Sequence, residues 1–172
     1  CELNISRKQH ILKRIYKIIS DFLVELCKTE EQEYAITAID ILRQIVIKFL
    51  EFKIANEYKF QKEIFLPFTK IFENPKDIYI NEYVVFSISN IIQLYPENIK
   101  NGWIIVLQIY KAIPNFDGFK NKFVQQNSSV LFKVCEENFE SIKGYFIYFI
   151  NTFKCYNNKV PTEIFYLSEF LS

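Results

Sequence analysis

Glycine is scarce in this chain, with three among 172 residues. The tight turns of a β-sandwich and the Gly-rich loops that cradle phosphates both need more of it, so neither organises the fold. A surplus of charge is missing too: 21 Lys+Arg stand against 20 Asp+Glu, a formal net charge of +1. Nucleic-acid binders advertise a basic excess, so no nucleic-acid partner is expected. Histidine occurs once, at His10, and the four cysteines (Cys1, Cys27, Cys135 and Cys155) form no C-x-x-C pair. A zinc site would need carboxylates or a second chain, and no metal or cofactor is expected. No uncharged apolar run of about 18 residues spans a membrane, and no secretory n-region and h-region open the chain. The most membrane-like stretch, residues 144–150, is too short.

What is abundant is apolar and aromatic. Half of the residues are hydrophobic, with 18 Phe and 11 Tyr, which excludes a disordered chain. The length suits one domain, taken as residues 1–172. The opening Cys1 in place of Met leads to the expectation of a piece of a larger protein. Cys27 and Cys135 each follow a leucine by four residues (Leu23 and Leu131), beside helical stripes. They read as reduced, half-buried thiols, which fits a cytoplasmic address.

The apolar residues recur with a helical period almost everywhere. Ile11, Leu12, Ile15, Ile18, Ile19, Phe22, Leu23 and Leu26 form one stripe, with Lys13, Arg14, Lys17, Asp21 and Glu25 on the other face. Thr29 and Gln32 have capping-box spacing and predict the start of a second helix, where Glu30, Glu31 and Glu33 suit the dipole. That helix carries Ala35, Ile39, Leu42, Val46, Phe49 and Leu50, with Ala38, Ile41 and Ile45 beside them. An arc so wide predicts cover on two sides. A third segment, residues 57–72, contains Phe60, Ile64, Phe65, Phe68, Ile71 and Phe72, and Pro67 is expected to kink or split it. Asn74-Pro75 ends it and opens a fourth helix, which carries Tyr83, Val84, Ile88, Ile91, Ile92 and Tyr95 and stops before Pro96. The fifth helix uses Trp103, Val106, Leu107 and Tyr110 and stops before Pro114. A sixth, about 119–136, has a polar middle at 125–129. A seventh runs through Phe146, Ile147, Ile150 and Phe153, and an eighth opens at Pro161. Hairpins so spaced open every roughly 40–47 residues, as in HEAT or armadillo units. The expected fold is all-α, an armadillo/HEAT-like right-handed stack of about four helical hairpins.

Catalytic chemistry has little to work with. His10 precedes the first stripe and reads as a solvated first-turn residue without a carboxylate partner. Asp40 and Arg43 are three apart on one helix and read as an intrahelical or inter-repeat ion pair. No Ser/His/Asp set, metal spacing or phosphate loop is present, so the chain is not expected to be an enzyme by itself. Two segments are harder to reduce to core packing. Tyr58, Lys59, Gln61 and Lys62 interleave with Phe60 ahead of Pro67. Asn98 and Lys100 precede Gly102 and the single tryptophan, Trp103. The plain reading makes Trp103 a core anchor whose N–H bonds a carbonyl, and Gly102 a point of close helix packing. Both segments fall at helix N-termini and are expected along one edge, where helical repeats present partner-binding residues.

At these segments the chain also resembles a known family. SDFLV (20–24), AIDILRQ (38–44), KFLE (48–51), ANEYKFQK (55–62), PF (67–68) and NIKNGW (98–103) occur in one order. Together they are similar to the first helical region downstream of the catalytic domain in the large Sec7-type, brefeldin A-inhibited Arf guanine nucleotide exchange factors. The match is dense from about Lys8 to Pro114 and thinner beyond. Leu66, Thr69, Lys100-Asn101 and Ile104 stand where the family usually carries other residues, several of them charged. The resemblance implies an armadillo-like regulatory segment without the Sec7 domain and its glutamate finger. It implies two partners, an Arf-family small GTPase and the Sec7 domain of the same chain, and a place peripheral to trans-Golgi membranes. The near-neutral charge makes membrane association indirect. The alternative is a helical-repeat trafficking scaffold from a relative that lacks a Sec7 domain.

Overall fold

The computed structural model describes residues 2–29, 31–52, 58–73 and 77–156, with side chains described at 10–29, 31–52, 60–73 and 77–156. Among these residues every regular element is helical: α1 (Glu2–Leu26), α2 (Gln32–Glu51), α3 (Tyr58–Glu73), α4 (Ile78–Leu94), α5 (Gly102–Ala112), α6 (Asn121–Glu137), α7 (Phe139–Ile142) and α8 (Phe146–Phe153). Short 3-10 turns occupy Pro96–Asn98, Ile113–Asn115, Lys143–Tyr145 and Lys154–Tyr156.

The helices pack as two rows. One runs α1, α3, α5, α8 and the other α2, α4, α6, each helix lying against the next of its own row, so that α1–α2, α3–α4 and α5–α6 are successive layers across the two rows. A helix so placed needs apolar residues on two sides, and α4 has them. Ile80, Val84, Val85, Ile88, Ile91 and Ile92 are all buried there, around most of its circumference. The β-branched residues cost only tenths of a kcal/mol each in helix propensity, and burial outweighs that.

Hydrogen bonds repeat with the layers. Among the described residues seven side-chain bonds join partners 44 to 49 residues apart: Tyr16–Ile64, Gln32–Asp77, Arg43–Asn90, Lys70–Asp21, Asn98–Leu50, Tyr145–Asn101 and Tyr156–Tyr110. The chain thus has a structural period that its residue identities do not display. Two buried phenols are among these links. Tyr16 donates to the Ile64 carbonyl at 2.7 Å, and Tyr156 to the Tyr110 carbonyl at 2.7 Å.

Several expectations change. The capping box does not form. Thr29 donates back to the Leu26 carbonyl at 2.8 Å and so still closes α1, while the N-cap of α2 is Glu31, without a side-chain bond. Gln32 instead reaches Asp77 of the neighbouring hairpin at 3.3 Å. His10 is not in a first turn, because α1 begins eight residues earlier at Glu2; it is exposed on the helix interior. Pro67 does not split α3, which continues through it. A proline inside a helix costs about 3 kcal/mol. Phe65, Phe68, Ile71 and Phe72 flank it, all buried, and each contributes roughly 1.5–3 kcal/mol, so packing prevails. The polar middle of α6 is helical because Asn127 and Ser128 face inward, where Ser89 donates to Asn127 at 3.0 Å. The short α7 was not anticipated. The helix start at Asn74-Pro75 and the eighth helix at Pro161 lie outside the described residues. Cys27 and Cys135 are buried free thiols, and Cys155 is half-buried.

Candidate partner-binding edge

The two segments singled out by sequence meet at one edge, and Gln61 is what joins them. Its side chain is 1% exposed in the first turn of α3. The Gln61 amide donates to the Asn98 carbonyl at 2.8 Å, and its oxygen accepts the backbone N–H of Lys100. Asn98 in turn donates from Nδ2 to the Leu50 carbonyl at 3.2 Å. That carbonyl belongs to the last turn of α2, where the Phe52 N–H of the C-cap also points to it. One glutamine and one asparagine therefore fasten the end of α2, the start of α3 and the turn before α5. Asn101, which precedes α5, accepts from the Tyr145 hydroxyl at 3.2 Å and carries the edge on to the start of α8.

Beneath this frame lies Trp103, fully buried, with its ring 5.0 Å from that of Phe149. It is a core anchor, but its Nε1 has no hydrogen-bond partner among the described residues, contrary to the expectation of a carbonyl acceptor. Among the described residues, packing alone holds the indole. Gly102 answers the close-packing reading: a Cβ there would stand 2.6 Å from the Phe65 ring.

What faces solvent here is lysine, an exposed ring and the carboxylates of Glu51 and Glu97. Lys100 is exposed and Lys62 half-buried, and neither side chain forms an ion pair among the described residues. On the adjoining end of α2, Lys48 pairs with Glu51 at 2.7 Å and stands 5.5 Å over the ring of Phe52, itself 64% exposed. The hydrogen bond from Lys48 to Glu51, followed by their Coulomb attraction, raises the lysine pKa. Sequence reading passed over Lys48 and Phe52. The available signal was an aromatic side chain placed just beyond a helix end, outside any stripe. A shallow cleft of about 380 Å³ opens beside the same turn, lined by Gln93, Tyr95, Glu97, Asn98, Glu137 and Asn138. Tyr58 opens α3, but the side chains of Tyr58 and Lys59 lie outside the described residues. Of the sequence candidates, Lys62 and Lys100 therefore reach the surface, Asn98 is half-buried, and Gln61 and Trp103 are interior.

Elsewhere the ion pair read from Asp40 and Arg43 is present and extends further. Arg43 donates to Asp40 through Nε at 3.0 Å and to Asn90 of α4 at 3.0 Å. The Arg43 hydrogen bond holds the Asp40 carboxyl below the usual range. Among the described residues no group of three His, Cys, Asp or Glu side chains could hold a metal ion. No described helix is long and apolar enough to cross a membrane.

Both segments of the edge fall within residues 48–131, which match the family described as Mon2/Sec7/BIG1-like, HDS. Residues 48–131 belong to that HDS family. The chain is 34% identical over 107 residues to brefeldin A-inhibited guanine nucleotide-exchange protein 1 of Arabidopsis thaliana, covering 62% of this chain and 6% of that protein. It is 29% identical over 139 residues to protein 2 of the same plant, covering 81% of this chain and 8% of the relative. The ADP-ribosylation factor guanine nucleotide-exchange factor sec71 of Schizosaccharomyces pombe is 29% identical over 106 residues, 62% of this chain and 6% of the relative. The chain thus spans only a small part, 6–8%, of the relatives it matches. No solved structure matches it.

Proposed function

We propose that this chain is a non-catalytic regulatory segment of a large Sec7-type Arf guanine nucleotide exchange factor acting in Golgi vesicle traffic. It is an armadillo/HEAT-like right-handed stack within a longer multidomain polypeptide. The segment binds an Arf-family GTPase or the Sec7 domain of its own chain, and through the GTPase it is recruited to trans-Golgi membranes. The HDS match over residues 48–131 supports this reading above all else, together with relatives whose names carry guanine nucleotide exchange. A stack of this kind occludes a neighbouring domain in one state and docks a GTPase in another, biasing a two-state equilibrium by differential contacts.

The contact set we assign is Tyr58, Lys59, Lys62 and Lys100, held in place by Gln61, Asn98 and the Trp103 anchor beneath. The test is a pull-down of the chain against GTP-loaded Arf, GDP-loaded Arf and a Sec7 domain. Capture of GTP-loaded Arf over the GDP form, or of the Sec7 domain, is expected. Charge reversal at Lys62 and Lys100 should weaken it without moving the melting temperature. Equal capture of both nucleotide states with no Sec7 binding removes the reading.

A further inference from the structure

The edge just described accounts for the turns of the fold but not for its first layer. On α1, Ile18 is 71% exposed, Phe22 61%, Ile11 53% and Ile15 48%. They recur at i, i+4, i+7 and i+11 and so make one continuous stripe. A helix turns about 100° per residue, which puts this stripe opposite Tyr16, Ser20 and Leu23, the buried residues through which α1 packs on α2 and α3. On α2 the same holds. Arg43 reaches Asn90 of α4, whereas exposed Tyr34 and Ile41 lie roughly on the opposite side, away from α4.

The outer face of the α1–α2 layer is therefore apolar along much of its length. Helices α3 and α4 are also apolar on two sides, but each has a neighbour on both: α1 and α5 for α3, α2 and α6 for α4. A layer that closes a helical stack carries a polar outer face for solubility. This layer has the sequence of an interior one.

The flanking charges say what it receives. Asp21 is bonded to Lys70 at 3.0 Å and Glu25 to Lys28, whereas Arg14 and Lys17 form no ion pair among the described residues. A second copy laid antiparallel on α1 would bring Arg14 and Lys17 against carboxylates that are already engaged. The relatives also extend far beyond the matched segment, which covers 6–8% of their length. We propose that the outward face of α1 and α2 seats a further helical hairpin of the same polypeptide, outside these 172 residues. Its apolar stripe lies on Ile11, Ile15, Ile18 and Phe22, and its acidic side chains face Arg14 and Lys17. This rests on the reading of the chain as part of a longer exchange factor.

The test compares the 172-residue chain with the natural full-length polypeptide, each carrying Ile18→Cys, by maleimide labelling read at that peptide by mass spectrometry. Labelling at least tenfold slower in the full-length protein is expected, and equal rates overturn the proposal. Ile18→Glu should leave the melting temperature of the 172-residue chain unchanged and lower that of the full-length protein; no change in either overturns it as well. Slow labelling of the 172-residue chain that scales with its concentration would assign the face to a second copy instead, and the proposal fails. If the transcript encodes no longer polypeptide, the exchange-factor reading and this proposal fall together. Equal labelling in a longer Sec7-containing chain removes this proposal alone.

Discussion

Gln61→Glu isolates one hydrogen of the clamp that joins α3 to the turn before α5. The variant keeps the size and shape of the side chain. Its carboxylate still accepts from the Lys100 N–H but no longer donates to the Asn98 carbonyl. At neutral pH it also places a charge where the native side chain is 1% exposed. A buried acceptor stripped of its donor costs about 1–3 kcal/mol, and more where a charge is left, so a loss of about 3 kcal/mol is expected near pH 7. Protonation returns the missing donor. Burial and the lost bond both favour the neutral acid, so its folded pKa stands above the roughly 4.3 of an unfolded chain. Between those two values the native state holds a proton that the unfolded chain has released, and stability rises as pH falls. The gain is about 1.4 kcal/mol for each unit separating them. Urea denaturation followed by circular dichroism at about pH 7.5 and 5 reads the effect in the midpoint. The midpoint of Gln61→Glu should approach that of the parent in acid, while Gln61→Ala, which cannot regain a donor, stays low at both. A variant as stable as the parent at neutral pH, or a deficit that acid leaves unchanged, refutes the clamp.

Gly102→Ala drives a methyl to 2.6 Å from the buried Phe65 ring. Overpacking of about 1–3 kcal/mol exceeds the roughly 0.5–1 kcal/mol gained by replacing a helical glycine, so calorimetry should show a melting temperature lower by a few degrees. Cys155 should react with a thiol reagent in the native protein. Cys27 and Cys135, buried and pushed up to about 11 and about 12 by desolvation, should react only on unfolding, as mass spectrometry of pulsed labelling will report. The Asp40 carboxyl is held low by Arg43, so its contribution to stability is full at neutral pH and disappears as pH falls through the depressed folded value. Asp40→Asn should accordingly flatten the acid limb of a melting-temperature profile, and an unaltered limb would show that the pair adds nothing.

Much of the architecture could be read from the chain, because it rests on periodicity. Stripes such as Ala35, Ile39, Leu42 and Val46 depend only on neighbours three and four apart, and these residues are buried together. The pair Asp40–Arg43 was equally legible, being local. The misreadings share a cause. Thr29 has the chemistry of an N-cap, but α1 extends far enough to claim its hydroxyl for the Leu26 carbonyl. Pro67 has the chemistry of a break, but long-range burial of its neighbours outweighs it. Gln61 looked like a surface amide among lysines. Its role depends on a turn 37 residues away, which no local pattern encodes. The Trp103 N–H was expected to bond by general habit, whereas its neighbourhood is ringed by packing such as Phe149.

The seven hydrogen bonds that join residues 44 to 49 apart have a mechanical consequence. Each ties a layer to its nearest neighbour, so a pull along the series of layers loads the outermost one before the rest. A chain under tension should then peel in steps rather than open at once. Releasing about 46 residues per step, at roughly 3.3–3.6 Å each, gives roughly 150–165 Å of new contour length. The fold is in that sense a ratchet of equal strokes, whose stroke length is written in the spacing of its bonds.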